Sequence, residues 1–171
     1  MLITGVTSGI GAGIAKQFSL AGASVSGCSR AEEDSLTAQA FLQESGAKAL
    51  YTTVDVIKQT DLEFLIENTI KHFGRLDFLV SNAGVNVFEG AENCSEENWQ
   101  YNHELNLTSH WHLSKLCKPY LEKNAGVIII MTSNHAFSSI PGCFPYNVTK
   151  TALTGLVRSL AIEWGPAIRT V

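Results

Sequence analysis

Three residues in the second half of the chain have the types and spacing of a proton-transfer site. Tyr146 and Lys150 are four positions apart, so on a helix they share one face, and Ser133 precedes the tyrosine. An ammonium ion held near a phenol stabilises the phenolate, which lets the phenol exchange a proton near neutral pH. A serine hydroxyl can donate a hydrogen bond to the same substrate oxygen. The trio is suited to proton transfer at a carbonyl oxygen.

The first turn of the chain is rich in glycine and has the form of a phosphate-binding loop. The stretch TGVTSGIG, residues 4–11, lies between a predicted strand and a predicted helix. A helix N-terminus offers N–H groups to a pyrophosphate, and a Cβ at Gly9 or Gly11 would obstruct its approach. A glycine turn without a ligand is the alternative, which this position disfavours. The motif predicts a dinucleotide site formed by Gly5, Thr7, Ser8, Gly9, Ile10 and Gly11.

Polar residues also follow the other predicted strands. Ser29 and Arg30 follow the second strand, Asp55 the third, Asn82 the fourth and Ser133 the fifth. Dinucleotides bind at the carboxyl ends of strands in open α/β sheets, at the point where the strand order reverses. A sheet with a purely structural role does not require a polar residue at each of these ends. We therefore expect these side chains to face one site.

The end of the second strand bears on the choice between NAD(H) and NADP(H). An acid at this point binds the ribose 2'-hydroxyl, whereas an arginine favours a 2'-phosphate. The sequence offers Ser29 and Arg30 there, and the first acid is Glu32. This favours NADP(H). NAD(H) stays possible if Glu32 or Glu33 folds back to the ribose.

The elements that must position these residues alternate in type. Short β-branched runs predict strands, and apolar residues at helical spacing predict helices between them. A parallel sheet wrapped by helices on both sides has this pattern. The prediction is a single domain, residues 1–171, of the α/β class, with a doubly wound Rossmann-type sheet in three α/β/α layers. The predicted strands are 1–6, 23–28, 47–54, 77–81, 127–133 and a start at 167–171, and the predicted helices are 10–22, 33–44, 60–74, 95–123 and 146–163.

Local signals mark some of the helix ends. Thr60 and Glu63 have the spacing of a capping box, which predicts the start of the third helix. Gly74 predicts its end. Ser95 is expected to cap a long helical region that reaches about Lys123.

Composition excludes several classes of function. Apolar residues make up 45% of the 171-residue chain and charged residues 16%, which predicts a globular protein. The net charge of -4 and the lack of a basic run argue against nucleic acid as a partner. The longest apolar run, 127–131, is too short to span a bilayer. The four cysteines lack a CxxC pair, so no metal site is predicted. Reduced thiols and no recognisable signal peptide predict a cytoplasmic protein.

Five of these features occur in an order that resembles the short-chain dehydrogenase/reductase family. They are TGVTSGIG, the SNAG of residues 81–84, Asn106, Ser133 and the YNVTK of residues 146–150. Each motif is weak by itself, but the five together cover nearly the whole chain. The resemblance implies an NAD(P)-dependent oxidoreductase acting on a small carbonyl or alcohol substrate.

The resemblance also implies a role for each matching residue. Tyr146 would be the catalytic acid/base, and Lys150 would activate it and hold the nicotinamide ribose. Ser133 would orient and polarise the substrate carbonyl. Asn106 would hold a water that links Lys150 to solvent. The remaining cofactor contacts would come from Asp55 and Val56 beside the adenine and from Asn82, Ala83 and Gly84 beneath the cofactor.

Two residues are candidates for substrate contact. His135 lies two positions past Ser133, where some members of the family bring a histidine to the substrate, and Asn86 lies just past SNAG. A loop histidine with a backbone partner is the alternative for His135. The spacing of His103, His110 and His112 matches no metal site, so these three are predicted to be surface or interface residues.

Members of the family usually continue past the Tyr-Lys helix into further strands and a substrate loop. We therefore expect the C-terminal strands to be missing and the site to be open. Homodimers or homotetramers in the family form through the helices that match 95–123 and 146–163. Two alternative functions stay open: a non-catalytic nucleotide-binding protein of this fold, and a 3-oxoacyl-carrier-protein reductase. The second would be supported by a basic docking patch, which the sequence does not show.

Overall fold

The computed structural model describes residues 1–33, 35–45 and 48–171, and within them six strands form one sheet. The strands are β1 Leu2–Thr4, β2 Val25–Ser29, β3 Ala49–Thr53, β4 Phe78–Ser81, β5 Val127–Ile130 and β6 Arg169–Thr170. They lie in the order β3-β2-β1-β4-β5-β6, and every neighbouring pair is parallel. The chain order reverses between β1 and β4, which is where such sheets bind ligands.

Helices connect the strands and cover both faces of the sheet. They are α1 Gly9–Leu20, α2 Leu36–Ser45, α3 Gln59–Phe73, α4 Glu96–His103, α5 Ser109–Glu122 and α6 Tyr146–Trp164. A π-helical turn, Glu104–Thr108, joins α4 to α5, and a short 3₁₀ turn, Asn134–Ala136, precedes α6. Helices α1 and α2 pack in one apolar cluster, and α3, α5 and α6 pack in another. This confirms the predicted three-layer, doubly wound α/β fold of Rossmann type.

The alternation of side chains along β1 divides these two apolar clusters. Leu2 lies in the cluster beneath α3, α5 and α6, and Ile3 lies in the cluster beneath α1 and α2. Successive side chains of a strand point to opposite faces, so a central strand buried on both faces reads as a continuous apolar run. The same reasoning applies to Leu79 and Val80 of β4, which are fully buried in opposite clusters.

The strands are shorter than the sequence predicts. The first was expected over 1–6, but β1 ends at Thr4 because Gly5 has a φ of 73°, which no strand residue adopts. The fourth strand begins at 78 rather than 77, and the predicted sixth strand is present as β6. Parts of the predicted second helix and third strand, at 34 and 47, lie outside the described residues.

The predicted capping box of the third helix is wrong. Helix α3 begins one residue earlier, at Gln59, so Thr60 lies inside the first turn and makes no cap. The Glu63 carboxylate accepts instead from the Gln59 side chain at 2.9 Å. The prediction for Ser95 is confirmed, since its hydroxyl accepts from the backbone N–H of Asn98 at 3.1 Å at the start of α4.

Hydrogen bonds join the carboxyl ends of β1 and β4. The Thr4 hydroxyl accepts from the backbone N–H groups of Asn82 and Ala83, at 3.0 and 2.9 Å. The Asn82 side-chain amide donates to the Thr4 carbonyl at 2.9 Å and to the Gly5 carbonyl at 3.3 Å. This junction connects the glycine turn to the segment after β4, although 78 residues of chain separate them.

Glycine is needed at positions 5 and 11 of the turn for close packing. A Cβ on Gly11 would overlap the Gly5 carbonyl oxygen and lie 2.6 Å from the Asn82 amide nitrogen. A Cβ on Gly5 would meet the Ala83 backbone at 3.2 Å. Gly9 has open space around it, but its φ of 58° is the left-handed conformation that favours glycine. The turn can therefore approach both the junction and the start of α1 only without side chains.

The apolar residues of the two helical regions expected to form oligomer contacts, 95–123 and 146–163, mostly pack on the sheet. Leu113, Leu153 and Leu160 are buried in the cluster beneath α3, α5 and α6. Leu107, Leu116, Leu156 and Val157 are half-buried against the same cluster. Trp111 differs, since 43% of its surface is exposed. Association through these helices stays a prediction, with Trp111 of α5 and Ile162 of α6 as exposed apolar residues.

The described part of the chain contains no helix both long and apolar enough to cross a bilayer. It also contains no group of three or more histidine, cysteine, aspartate or glutamate side chains placed to hold a metal ion. Cys28, Cys117 and Cys143 are buried free thiols, and Cys94 is half-buried. Burial raises the pKa of the Cys28 thiol to about 12, so it stays protonated.

The packing of Gly11 gives a stability prediction. Gly11→Ala forces the Gly5 carbonyl or Asn82 to move, and we expect it to lower the free energy of unfolding by about 1–3 kcal/mol. Gly13→Ala is the matched control, because it lies on the same helix with open space around its Cβ position. It should be neutral or stabilise by about 0.5–1 kcal/mol. Urea unfolding of the two variants tests this, and equal effects would contradict it.

Candidate active site

A cavity of about 530 Å³ opens at the carboxyl edge of the sheet, beside the junction of β1 and β4. Segments from the ends of five strands and the start of α6 form its wall. The polar ends of the second, third and fourth strands therefore face one site, as the sequence predicts, whereas Ser133 after the fifth strand is not part of the wall. The wall consists of Gly5, Thr7, Ser8, Ile10, Gly11, Ser29, Arg30, Ala31, Val54, Asp55, Val56, Asn82, Ala83, Gly84, Val85, Asn86, Met131, Thr132, Tyr146 and Lys150.

The glycine turn and the start of α1 form one side of the cavity. Ser8 precedes the helix in an extended conformation, and its side chain makes no capping hydrogen bond to the first turn. The first N–H groups of α1 therefore have no side-chain cap and can bind an anion. Ile10 is 64% exposed beside them, which presents apolar surface to the cavity. Gly9 lies in this turn with a left-handed backbone conformation, but it is not one of the residues of the cavity wall.

The ends of β2 and β3 form a second side of the cavity. Ser29, Arg30 and Ala31 follow β2, and Asp55 follows β3. The Asp55 backbone N–H donates to the Asp61 carboxylate at 2.9 Å, which ties this wall to the first turn of α3. The Arg30 side chain is exposed and so is free to reach a ligand.

Tyr146 and Lys150 lie on one face of α6 and both line the cavity, as their spacing predicts. The Lys150 Nζ lies 5.6 Å from the centroid of the Tyr146 ring. Thr132 after β5 donates to the Lys150 carbonyl at 2.6 Å. The Asn102 amide donates to the Pro145 carbonyl at 3.1 Å, just before α6 begins. Contacts from β5 and α4 thus fix the first turn of the helix.

Lys150 is buried, with 3% of its surface exposed. Its ammonium donates to the Met131 carbonyl at 2.9 Å. Burial lowers the pKa of Lys150 from 10.5 to about 8, because a charged ammonium loses hydration away from water. A Cβ on Gly84 would lie 2.6 Å from the Asn106 Oδ1, so a larger residue there would force Asn106 to move. The lysine can therefore gain or lose a proton close to neutral pH.

Asn106 lies in the π-helical turn and is fully buried. Its side chain pairs with the backbone of Val85, accepting from the N–H and donating to the carbonyl, both at 3.0 Å. It also donates to the side-chain oxygen of Asn102 at 2.8 Å. These bonds hold the helical region against the segment that follows β4. A role in holding a water for Lys150 stays a prediction.

Ser133 and His135 lie next to the cavity, outside its wall as the structure describes it. Ser133 caps the 3₁₀ turn: its hydroxyl accepts from the His135 N–H and donates to the Asn134 side chain, both at 3.2 Å. The His135 ring lies edge-on to the rings of Phe88 and Tyr146, at centroid distances of 5.9 and 6.3 Å. The structure therefore brings His135 and Phe88 close to Tyr146, whereas the Ser133 hydroxyl bonds within its own turn.

The prediction that His110 is a surface residue is wrong. It is 1% exposed, and its Nδ1 lies 2.7 Å from the Ser81 hydroxyl. Burial, together with the smaller effect of the Lys150 charge, lowers its pKa to about 3, so the ring is neutral. His110 lies three and seven residues before the buried Leu113 and Cys117, so it shares the inward face of α5 with them. The prediction used only metal-ligand spacing, which does not indicate the helix face.

Several residues of the site were missed from the sequence. Thr4 and Asn102 hold the site from behind, and Val85 and Met131 supply backbone partners rather than side chains. Thr4 could have been found, because it is a polar residue at the end of the first strand, like those noted on the others. The backbone partners leave no signal in residue type.

Three comparisons place the chain among known proteins. A family model described as short chain dehydrogenase matches residues 1–171. Human dehydrogenase/reductase SDR family member 4 is 40% identical over 167 residues, which cover 96% of this chain and 60% of that protein. A Thermotoga maritima uncharacterized oxidoreductase is 36% identical over 165 residues, which cover 96% of this chain and 65% of that protein.

Solved structures with the same fold include two from bacteria and archaea. The 3-ketoacyl-(acyl-carrier-protein) reductase of Brucella melitensis, complexed with NADH, superposes with a TM-score of 0.92 at 32% identity, covering 99% of this chain and 71% of that one. The alcohol dehydrogenase of Thermococcus sibiricus, complexed with 5-hydroxy-NADP, gives a TM-score of 0.90 at 32% identity, covering 98% and 72%.

The chain spans about 60% of the length of the human relative. Within that span the family model extends over every residue. The cavity, the glycine turn and the Tyr-Lys pair lie at the positions expected from the five motifs. The chain therefore belongs to the short-chain dehydrogenase/reductase family.

Proposed function

We propose that the chain forms the NAD(P)-binding domain of an oxidoreductase that transfers hydride between NADP(H) and a carbonyl or secondary alcohol. One observation carries this proposal: Tyr146 and Lys150 line the same cavity as the glycine turn. A proton-transfer pair and a phosphate-binding loop on one cavity match the two halves of such a reaction.

The described residues fit a nicotinamide dinucleotide. The left-handed Gly9 and the uncapped start of α1 provide backbone N–H groups for the pyrophosphate. The walls after β2 and β3, with Ser29, Arg30, Asp55 and Val56, would hold the adenosine half. Asn82, Ala83 and Gly84 would lie beneath the other half, towards Tyr146. When bound, the cofactor supplies or accepts the hydride at the substrate carbon.

Side chains of this chain donate a proton to the substrate oxygen and accept it back. Tyr146 gives its hydroxyl proton to that oxygen in reduction and takes it back in oxidation. Lys150 carries a positive charge near the phenol and favours the phenolate. Its ammonium is held in place by the Met131 carbonyl at 2.9 Å. Because Lys150 is buried and nearly dry, its charge acts on the phenol with little screening.

Four further residues have proposed roles near the substrate. Ser133 would turn its hydroxyl from Asn134 to the substrate oxygen, and Asn106 would hold a water behind Lys150. His135 and Asn86 would contact the rest of the substrate, which the edge-on packing of His135 against Tyr146 supports.

The preference for NADP(H) rests on Arg30. Its side chain lines the cavity at the end of β2, where the adenosine ribose would lie. A guanidinium binds phosphate through paired, charge-assisted hydrogen bonds. The two solved relatives hold NADH in one case and 5-hydroxy-NADP in the other, so they favour neither cofactor.

We expect Tyr146→Phe to separate catalysis from binding. The variant keeps the ring packed on Phe88 but has no proton to transfer, so the rate of ketone reduction should fall by at least about 100-fold, as general acid loss does. NADPH affinity should change little. The measurement is NADPH consumption with acetophenone, cyclohexanone and ethyl acetoacetate, alongside a fluorescence titration. If the unsubstituted chain binds NADPH and reduces none of them, or if the variant keeps its rate, a non-catalytic binding protein is the better description.

We expect Arg30→Ala to reverse the cofactor preference. Loss of a charge-assisted contact should weaken NADPH binding by about 10- to 100-fold and leave NADH binding within about twofold. Fluorescence titrations with each cofactor measure this. Lys71→Ala, on the exposed end of α3, is the charge-matched control. Equal losses for both cofactors would remove Arg30 from 2'-phosphate recognition.

We expect Lys150→Met to stabilise the fold while abolishing activity. The pKa of Lys150 is lowered in the folded chain, so between about pH 8 and pH 10.5 the unfolded chain binds more protons and stability rises with pH. Below that window the buried charge destabilises the folded chain, and its removal should raise the free energy of unfolding by about 1–2 kcal/mol.

That gain should shrink as the pH rises from 8 towards 10.5, because the native lysine then becomes neutral as well. Urea unfolding at several pH values compares the variant with the unsubstituted chain. Lys71→Met is the control, since Lys71 is exposed and its replacement should show no such pH dependence. A variant that is less stable than the unsubstituted chain at neutral pH would contradict the prediction.

A further inference from the structure

A buried tyrosine lies behind the part of the wall that follows β2. Tyr51 is on β3 and is 2% exposed. Its hydroxyl donates to the Ala31 carbonyl at 2.7 Å and lies 2.6 Å from the Ser29 hydroxyl. The Ala31 N–H in turn donates to the Ser29 hydroxyl at 3.1 Å. Tyr51 thus contacts the residues on either side of Arg30 while standing behind the cavity wall.

The donor and acceptor in each of these hydrogen bonds follow from the single proton that each hydroxyl can donate. The phenol has one proton, which goes to the Ala31 carbonyl, so the Ser29 hydroxyl must donate to the Tyr51 oxygen. The Ser29 oxygen then accepts from the Ala31 N–H. Three donors and three acceptors therefore form a closed ring, and each bond polarises the next. We call this the Tyr51 ring, formed by Ser29, Ala31 and Tyr51.

The Tyr51 hydroxyl in this hydrogen-bonded ring stays protonated near neutral pH. Burial raises the pKa of Tyr51, the hydrogen bond from Ser29 opposes this, and the negative charges of Glu32 and Glu33 add to the rise. The phenol therefore stays neutral and continues to donate. Thr53 of β3 also donates to the Ala31 carbonyl, at 3.2 Å, from outside the ring.

We propose that Tyr51 is a positioning residue for recognition of the 2'-phosphate of NADP(H), acting through the backbone on either side of Arg30. This deepens the proposed function and rests on it. Both backbone polar groups of Ala31 are bound, so the segment that carries Arg30 is held in one conformation before any ligand arrives. A held segment loses less conformational entropy when the guanidinium binds phosphate.

The proposal predicts that loss of the Tyr51 hydroxyl weakens binding of a ligand with a 2'-phosphate and leaves binding of a ligand without it unchanged. Tyr51→Phe keeps the aromatic side chain packed on Phe41. It removes two of the three hydrogen bonds that form the Tyr51 ring. Arg30 is then less ordered, while the glycine turn and the wall after β3 are unchanged. Losing a neutral hydrogen bond corresponds to a change of about three- to tenfold in an equilibrium constant.

The test uses two fragments of the cofactor that bind the adenosine half. We expect Tyr51→Phe to raise the Kd for adenosine 2',5'-bisphosphate by about three- to tenfold and the Kd for AMP by less than about twofold. Isothermal titration calorimetry on the 171-residue chain measures both. Tyr120→Phe, on α5, is the matched control and should change neither. Equal weakening of both fragments, or no change in either, overturns the proposal.

A double-mutant cycle tests whether Tyr51 acts through Arg30. In an Arg30→Ala background, Tyr51→Phe should change the Kd for the bisphosphate by less than about twofold, and an undiminished effect overturns the proposal. If Tyr51→Phe does not fold by circular dichroism, Thr53→Val provides the second test, with a smaller loss for the bisphosphate alone.

An error in the proposed NADP(H) preference and an error in the role of Tyr51 give different results in these titrations. If the unsubstituted chain binds the bisphosphate no better than AMP, NADP(H) preference is wrong, and Tyr51 has no 2'-phosphate to recognise. If the unsubstituted chain shows the preference and Tyr51→Phe retains it, only the role of Tyr51 is wrong.

Discussion

The candidate site depends on the hydrogen-bonded junction between the ends of β1 and β4. Thr4 and Asn82 exchange four hydrogen bonds across this junction, counting those to Ala83 and Gly5. On one side the junction sets the position of the glycine turn, which packs so closely that Gly11 has no space for a Cβ. On the other side it directs the segment after β4 towards α6. Both halves of the proposed chemistry meet at this point because the strand order reverses here.

Buried polar groups support the part of the site that contains Tyr146 and Lys150 on α6. Asn106 pairs with the Val85 backbone, Asn102 holds the start of α6, and Lys150 is held by a carbonyl at the end of β5. Buried polar groups must find partners inside the protein, and those partners define one arrangement. Lys150 lies in this setting with a lowered pKa. The same burial that destabilises the folded chain makes the lysine charge act strongly on its neighbours.

Much of the fold and the cavity could be predicted from the sequence. The α/β class followed from periodicity. The predicted wall residues followed from the glycine motif, from polar residues at strand ends and from the family resemblance. The errors have specific causes. His110 was misplaced because metal-ligand spacing does not indicate which helix face a residue occupies, and Thr60 was misread because α3 begins one residue early. Tyr51 looked like one more apolar strand residue, because a hydrogen-bonded ring across two strands has no sequence pattern.

The sequence by itself determined which residues could do chemistry and the class of fold that carries them. Glycine spacing, the Tyr-Lys spacing and polar strand ends are local features, and local patterns are visible in one dimension. Only the tertiary structure decided how those residues are supported. The junction at Thr4, the burial of Lys150 and the ring behind Arg30 each join segments far apart in the chain. Their partners are largely backbone atoms, which every residue has, so residue types do not reveal them.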